Sequence, residues 1–217
     1  MKYIGKVFFL AASLVAAQSP TASNAAKPEA TAQPEKQVQS EVQAQPEPKA
    51  KAESIVTIVK QQFGSTFSVT TTMAVSFIVS DFDADGVEDV AIVADSKDPL
   101  PDSYEFKYEV ADPYNSYFGY GNPRVTAAFN SSERLRSHSL LVILGVGKEG
   151  WRSATPKAKY VLVNVPFDSV EAGRMLTKKK KPPIFVIKAV ESQLMDSAVW
   201  FDAKRKKWHW EPGGSRD

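Results

Sequence analysis

One short acidic segment of the chain has the residue types and the spacing that bind metal ions. The segment DFDADGVEDVAIV covers residues 81–93 and carries aspartates at the first, third, fifth and ninth positions of a tight loop. Calcium takes about six to eight oxygen ligands at roughly 2.4 Å, which carboxylates, backbone carbonyls and water supply in such loops. The pattern therefore predicts a Ca²⁺ site formed by the side chains of Asp81, Asp83, Asp85 and Asp89 and the carbonyl of Val87.

Two other positions of the loop refine this prediction. Gly86 stands where the loop must turn sharply and where a Cβ would be costly. An EF-hand loop requires a glutamate at its twelfth position, where this chain has Ile92, so the pattern is not that of an EF-hand. Two questions stay open: whether the acidic turn is only solvated, and whether a bound ion would be structural or regulatory.

The acidic segment resembles the calcium loop of the FG-GAP and VCBS repeats, which occur in integrin alpha-subunit propellers and in many secreted bacterial proteins. Those repeats continue with an apolar strand and then a second strand that ends in a Gly-rich turn and an aromatic residue, and LLVILGVGKEGW at 140–151 is similar to that second part. The C-terminal SAVWFDAKRKKWHWEPG, 197–213, resembles the closing hairpin of uncharacterised secreted bacterial proteins with one such motif. The resemblance implies a calcium loop and no particular activity.

The chain departs from the repeat proteins in one respect that bears on the fold. Residues 96–137 separate the two halves of the motif, and the DxDxDGxxD pattern occurs once. A propeller is built from about four to eight blades, each with its own copy of the repeat. We therefore do not expect a closed propeller.

The N-terminal residues predict export. Lys2 and Lys6 precede an apolar run from 7 to 17, which is too short for a membrane span of about 20 residues and typical of a secretory signal peptide. We expect cleavage after Ala17, with Ala25 as the second choice and an uncleaved anchor as the alternative. The mature chain would then be periplasmic or secreted and would have no transmembrane segment. The absence of cysteine excludes disulfides and a lipidated N-terminal cysteine.

Residues 18–52 have the composition of a disordered linker. They are rich in Ala, Pro, Gln, Glu and Lys, contain no aromatic residue, and have only Val38 and Val42 as larger aliphatics. Such a segment cannot bury enough apolar surface to offset the entropy of ordering it. It serves either as a spacer from a wall or membrane or as an inert connection.

Residues 53–217 are predicted to form one domain, because they hold 20 of the 23 aromatic residues. The apolar spacing predicts a helix over 53–63, ended by Gly64, and a second helix over 167–176 capped by Asp168. Short apolar runs predict strands at 74–80, 89–94, 104–110, 124–129, 139–145, 159–165, 184–190, 197–202 and 207–211. This pattern indicates an α+β domain dominated by antiparallel strands.

Signatures of an enzyme are weak. Gly145-x-Gly147-x-x-Gly150 follows an apolar strand as a dinucleotide motif does, but no helical pattern comes after it, so we interpret it as a hairpin turn. His138 and His209 have no second ligand at zinc spacing, and there is no G-x-S-x-G elbow. A pair of catalytic carboxylates has no sequence signature and stays open.

Aromatic and basic residues are the candidates for binding a partner. Tyr104, Phe106 and Tyr108 alternate and are predicted to face the core. The loop-like stretch that follows contains Tyr114, Tyr117, Phe118 and Tyr120. These rings either form a binding surface for an envelope polysaccharide or a protein, or cover the domain's own core. The basic runs 178–181 and 204–207 are predicted to lie solvated at loop and hairpin tips. The net charge of +2 gives no reason to expect a nucleic-acid partner.

These features together predict an exported, non-enzymatic, calcium-binding module that serves as an interaction or structural element of the cell envelope. The alternative is an exported hydrolase that acts on an envelope polymer and holds calcium for structural reasons. The two differ in what a cleft would contain: facing carboxylates away from the acidic loop would favour the enzyme.

Overall fold

The computed structural model describes residues 48–96, 98–126, 138–176, 182–191 and 196–213. The predicted signal peptide, most of the predicted linker and the basic run 178–181 lie outside these residues. In chain order the elements are α1 (Pro48–Phe63), β1 (Ser68–Val69), β2 (Phe77–Ser80), β3 (Asp89–Asp95), α2 (Ser103–Phe106), β4 (Glu109–Ala111), α3 (Pro113–Tyr117), α4 (Pro123–Thr126), β5 (His138–Leu144), a 3₁₀ turn (Gly147–Glu149), β6 (Ala158–Leu162), β7 (Ser169–Met175), β8 (Ile184–Val190), β9 (Ser197–Asp202) and β10 (Lys207–Pro212).

The strands form two sheets. Six strands make the first sheet in the order β1-β3-β5-β6-β4, with β2 also paired to β3, and four strands make the second in the order β10-β9-β8-β7. The described strands pair antiparallel with one another, except for the parallel pairing of β4 with β6. The prediction of an antiparallel-dominated α+β domain is confirmed, and the described strands close neither a barrel nor a propeller.

The first sheet is buried on both faces. On β3, Ala91 and Val93 belong to a core shared with the second sheet, whereas Val90 and Ile92 belong to a core shared with α1. The outer layers contribute Val170, Ile187, Val199, Phe201, Trp208 and Trp210 to the first core, and Ile55, Val59 and Phe63 to the second. Because fully burying such a side chain contributes about 1.5–3 kcal/mol, β3 is a rigid support, and the acidic segment runs directly into it.

Helix α1 begins at Pro48, inside the predicted linker. The physical reason is composition: Pro48 suits a first helical position, and the Lys and Ala residues that follow are good helix formers. The predicted end is confirmed. Gly64 has a φ of 89° and its N–H donates to the carbonyl of Lys60 at 3.2 Å, as a left-handed residue after a helix does.

The helix predicted over 167–176 is wrong, because Ser169–Met175 is strand β7. All seven of its residues pair with β8, from Ser169 with Val190 to Met175 with Ile184. The apolar residues fit both periods over so short a run, and Gly173 weakens a helix. Pairing with a neighbouring strand therefore decides the conformation.

The strands predicted at 104–110 and 124–129 are also largely wrong. Helix α2 occupies the first half of 104–110, Lys107 ends it in a left-handed conformation, and only Glu109–Ala111 is a strand. Residues 124–126 lie in α4, and 127–129 are outside the described residues. The two-residue strand β1 was not predicted, whereas the other predicted strands agree with β2, β3, β5, β6, β8, β9 and β10 within a few residues.

Candidate metal centre

The acidic loop connects β2 to β3 and is shaped by its own aspartates. The two carboxylate oxygens of Asp81 accept hydrogen bonds from the N–H groups of Asp85 at 3.0 Å and Gly86 at 2.9 Å. Such side-chain to backbone bonds are what allow Asp to form tight turns. Gly86 has a φ of 86°, so the sharp turn predicted there is confirmed. The sequence therefore encodes the loop conformation locally.

Three of the predicted ligands converge. Asp81, Asp83 and Asp89 each place a carboxylate oxygen within 4.8 Å of the others, which is a cluster that could hold a metal ion. Asp83 is 7% exposed and Asp89 is fully buried. The Oδ1 atom of Asp83 is buried and accepts no hydrogen bond from the described residues. An orphaned carboxylate oxygen is costly to bury, so the donor set fits a hard cation.

The other two predicted ligands have different contacts. The Oδ2 atom of Asp85 lies 2.6 Å from the ammonium of Lys157, and its Oδ1 atom accepts the N–H of Val87 at 2.9 Å. Asp85 does not belong to the three-residue cluster. The participation of Asp85 and of the Val87 carbonyl stays a prediction.

Asp89 fastens the loop to the neighbouring hairpin. Its Oδ2 atom accepts the N–H of Phe82, and its Oδ1 atom accepts the N–H of Gly145, both at 2.7 Å. Burial raises the pKa of Asp89 to about 7, despite these two bonds, and the nearby Asp83 charge adds to the increase. A divalent cation in the cluster would favour the ionised form and offset this cost.

The glycine motif 145–150 lies against the loop. It forms the 3₁₀ turn between antiparallel strands β5 and β6, so the hairpin interpretation is confirmed. A Cβ added to Gly145 would lie 2.2 Å from the Glu88 carbonyl oxygen, so only glycine allows this approach. Next to it, Arg152 pairs with Glu88 at 3.1 Å and stacks on Trp151 at 4.2 Å. The two halves of the sequence motif are therefore one packed unit.

Lys157 is a site residue that the sequence did not indicate. Its ammonium lies 2.6 Å from Oδ2 of Asp83 and 2.6 Å from Oδ2 of Asp85. The hydrogen bonds that the ammonium donates to these two carboxylates raise the pKa of Lys157. Burial opposes ionisation of Asp85, but the bonds from Lys157 and the Val87 N–H together lower the pKa of Asp85. Lys157 lies 74 residues from Asp83 and 72 residues from Asp85 along the chain, so no local spacing could have revealed it.

The predicted partner residues form a partly exposed aromatic cluster. Tyr117, Phe118 and Tyr120 are 53%, 54% and 63% exposed, whereas Tyr114 is half-buried. The rings of Tyr114 and Tyr117 contact the buried Trp210 edge to face, at centroid distances of 5.0 and 5.2 Å. The cluster thus both covers the core and presents aromatic surface.

Of the three aromatics predicted to face the core, only Tyr108 is buried. It packs with Phe63 and Phe67, while Phe106 is half-buried and Tyr104 is 94% exposed. The prediction for Tyr104 is wrong because α2 replaces the expected strand, and a helical turn does not alternate its side chains between two faces.

A cavity of about 300 Å³ lies beside β4 and the turn between β9 and β10. Two acidic residues, Glu109 and Asp112, line it. The Asp112 carboxylate accepts hydrogen bonds from the Asn115 N–H, the Asn115 amide and the Asn164 amide, and it caps α3. Because the oxygens of Asp112 already accept hydrogen bonds that hold the fold, Asp112 and Glu109 do not resemble a pair of free catalytic carboxylates.

The turn between β9 and β10 is formed by the exposed residues Lys204, Arg205 and Lys206, as predicted for a hairpin tip.

The two histidines lie apart from the acidic loop's carboxylates. His138 pairs with Asp95 across β3 and β5, with Nδ1 2.5 Å from Oδ1. His209 stacks on Trp200, with ring centroids 4.4 Å apart, on the face of the second sheet opposite Trp208 and Trp210. Residues 208–210 therefore alternate between the two faces of β10.

None of the described helices is both long enough and apolar enough to span a membrane. No protein-family model, no curated protein and no solved structure matches the chain.

Proposed function

We propose that this protein is an exported calcium-binding module of the cell envelope that acts as an interaction or structural element and not as an enzyme. The carboxylate cluster of Asp81, Asp83 and Asp89 carries the proposal, because Asp83 is buried there with an oxygen that has no donor among the described residues. A bound cation would supply the missing partner.

The chemistry of the cluster favours calcium among the common cations. Its ligands are all carboxylate oxygens, which suit hard ions, and they stand on a loop with two left-handed residues, Ala84 and Gly86. Calcium accepts irregular coordination from such a loop, whereas Mg²⁺ demands near-octahedral geometry. The resemblance of residues 81–93 to FG-GAP and VCBS calcium loops points the same way.

The ion would act mainly on structure. Asp89 joins the loop to β5 through Gly145, and the loop also connects β2 to β3. A cation that neutralises the cluster would therefore hold these strands together at one end of the first sheet. Without it, the carboxylates repel one another and the end of the sheet loosens.

The proposed contact surface for an envelope polysaccharide or protein consists of Tyr114, Tyr117, Phe118 and Tyr120. The support is the exposure of Tyr117, Phe118 and Tyr120. The rings of Tyr114, Tyr117 and Phe118 also pack against Trp210, which holds them in place. Export rests on residues 1–17, and N-terminal sequencing should show that the exported product begins at Gln18 or soon after.

Calcium titration tests the metal site. Extracellular calcium modules bind with Kd values of about 10⁻⁴ to 10⁻³ M, so about 1 mM CaCl₂ should stabilise the chelator-treated protein by roughly 0.4–1.4 kcal/mol. For a domain of this size, that is a rise in Tm of about 1–6 °C. Calorimetric titration should give the matching heat of binding.

Two matched variants test whether calcium binds to the carboxylate cluster itself or responds only to the negative charge of the loop. Asp83→Asn should abolish the calcium response, because it removes a ligand charge from the cluster. Glu88→Gln removes a charge from the same loop, but Glu88 is paired with Arg152 and lies outside the cluster, so this variant should still respond. If Asp83→Asn does not fold, Asp81→Asn replaces it. A parent protein without a calcium response, or an Asp83→Asn variant that binds like the parent, contradicts the proposal.

A further inference from the structure

The ammonium of Lys157 shares carboxylates with the candidate metal centre. It is 2.6 Å from Asp83, which belongs to the cluster, and 2.6 Å from Asp85, which is a predicted ligand. The Asp83 side chain is 1% exposed, so Lys157 brings a positive charge to a nearly dry carboxylate. The backbone N–H of Lys157 donates to the Leu144 carbonyl at 2.9 Å, which fixes this residue at the start of the β5–β6 pairing.

A divalent cation and this ammonium draw on the same oxygens. An ion bound by Asp81, Asp83 and Asp89 would lie close to the Lys157 charge, and two cations at such a distance repel each other strongly in a partly dry site. A carboxylate that contacts both the ammonium and the metal ion also attracts each of them less strongly than it would attract one alone. Binding of the ion and retention of the lysine contacts therefore oppose each other.

We propose that Lys157 is a built-in competitor that lowers the calcium affinity of the acidic loop and withdraws from Asp83 and Asp85 when the ion binds. This rests on the proposed calcium function. In the absence of the ion, Lys157 offsets part of the repulsion among the carboxylates, so the loop loosens less than it would without the lysine. At low calcium concentration the loop's carboxylates therefore pair with the ammonium of Lys157, and at high calcium concentration Ca²⁺ replaces the ammonium.

The pairing partners distinguish Lys157 from Arg152, another cation that pairs with a carboxylate of the acidic loop. Arg152 pairs with Glu88, and both side chains are more than half exposed. Glu88 is outside the cluster, so losing Arg152 leaves the cluster's carboxylates as they were. Arg152 is therefore the matched control for Lys157, because it has the same charge and lies in the same connection between β5 and β6, but it pairs with a carboxylate outside the cluster.

Calcium titration of the chelator-treated protein with CaCl₂ alone tests the proposal. Lys157→Met should bind calcium about tenfold or more tightly than the parent, and its Tm without calcium should fall. Lys157→Arg should restore an affinity within a few-fold of the parent, and Arg152→Met should change it by less than about threefold. A lysine that only braces the fold would lower the Tm with and without calcium alike and leave the affinity unchanged.

A separate experiment tests whether the Lys157 ammonium leaves Asp83 and Asp85 when calcium binds. Acetylation of Lys157, followed by mass spectrometry, should accelerate several-fold in saturating CaCl₂, while exposed Lys204 acts as the internal reference. Equal rates with and without calcium would overturn the withdrawal.

The outcomes separate this inference from the proposed function. If neither the parent nor Lys157→Met binds calcium, the calcium function fails, and this inference fails with it. If both bind with the same affinity, the calcium function stands and the competitor role is overturned. If Lys157→Met binds and the parent does not at about 1 mM, the competitor role is supported and calcium is not the parent's working ligand.

Discussion

Gly145 offers the sharpest test of how the acidic loop is held against the first sheet. It follows β5, its N–H donates to Asp89, and it has no positive φ. An added Cβ would lie 2.2 Å from the Glu88 carbonyl oxygen and 2.6 Å from the Gly150 carbonyl carbon. Both atoms are backbone, so no side-chain rotation relieves the clash.

We expect Gly145→Ala to be strongly destabilising. Overpacking usually costs about 1–3 kcal/mol, and two backbone contacts this short place the substitution at or above the upper end of that range. At about 2–4 °C per kcal/mol for a domain of this size, a cost of about 3 kcal/mol lowers the Tm by roughly 6–12 °C. Because Glu88 precedes Asp89, the displaced backbone should also weaken calcium binding.

Gly147→Ala is the matched control two residues away. Gly147 has a φ of 62°, but no atom of the described residues lies within 4 Å of an added Cβ. An alanine there therefore costs only the adoption of the left-handed conformation, about 1–2 kcal/mol. Scanning calorimetry with chelator, and again with CaCl₂, should show Gly145→Ala melting several degrees below Gly147→Ala. The reasoning is refuted if Gly145→Ala melts at or above the control, or binds calcium as the parent does.

Two further predictions concern pH and the aromatic cluster. Burial, and secondarily the Lys207 charge, lowers the pKa of His209 below the usual histidine value of 6.5. The unfolded chain therefore binds this proton more readily than the folded one, and stability is lost as the pH falls below about 6.5. His209→Gln should therefore flatten the fall in Tm between about pH 7.5 and pH 5, and an unchanged profile would contradict the assignment. Replacing Tyr117 and Tyr120 with serine should weaken binding to purified envelope polysaccharide about tenfold, since each ring contact contributes about 0.5–1.5 kcal/mol. Tyr104→Ser is the control, because Tyr104 is 94% exposed and lies on α2, outside the aromatic cluster. Equal losses of binding would argue against a specific surface.

The acidic loop could be predicted from the sequence because its structure is local. Asp81 and Asp85 bond to N–H groups two to five residues away, and Gly86 adopts the positive φ that glycine permits. Interactions over so few residues leave a pattern in the spacing. The same holds for the end of α1 at Gly64 and for the alternation of Trp208 and Trp210 around His209.

Only the tertiary structure decided the features that depend on distant contacts. Residues 169–175 are a strand because β8 pairs with them along their whole length, and residues 103–106 turn into a helix where alternation predicted a strand. Lys157 reaches Asp83 and Asp85 because the β5–β6 hairpin packs on the loop, with the close approach of Gly145 to Glu88 holding the two together. Short apolar segments fit both the helical and the strand period, so packing decides which conformation they adopt. A salt bridge between residues 72 or 74 positions apart leaves no pattern in the local sequence, so it too is seen only in the folded structure.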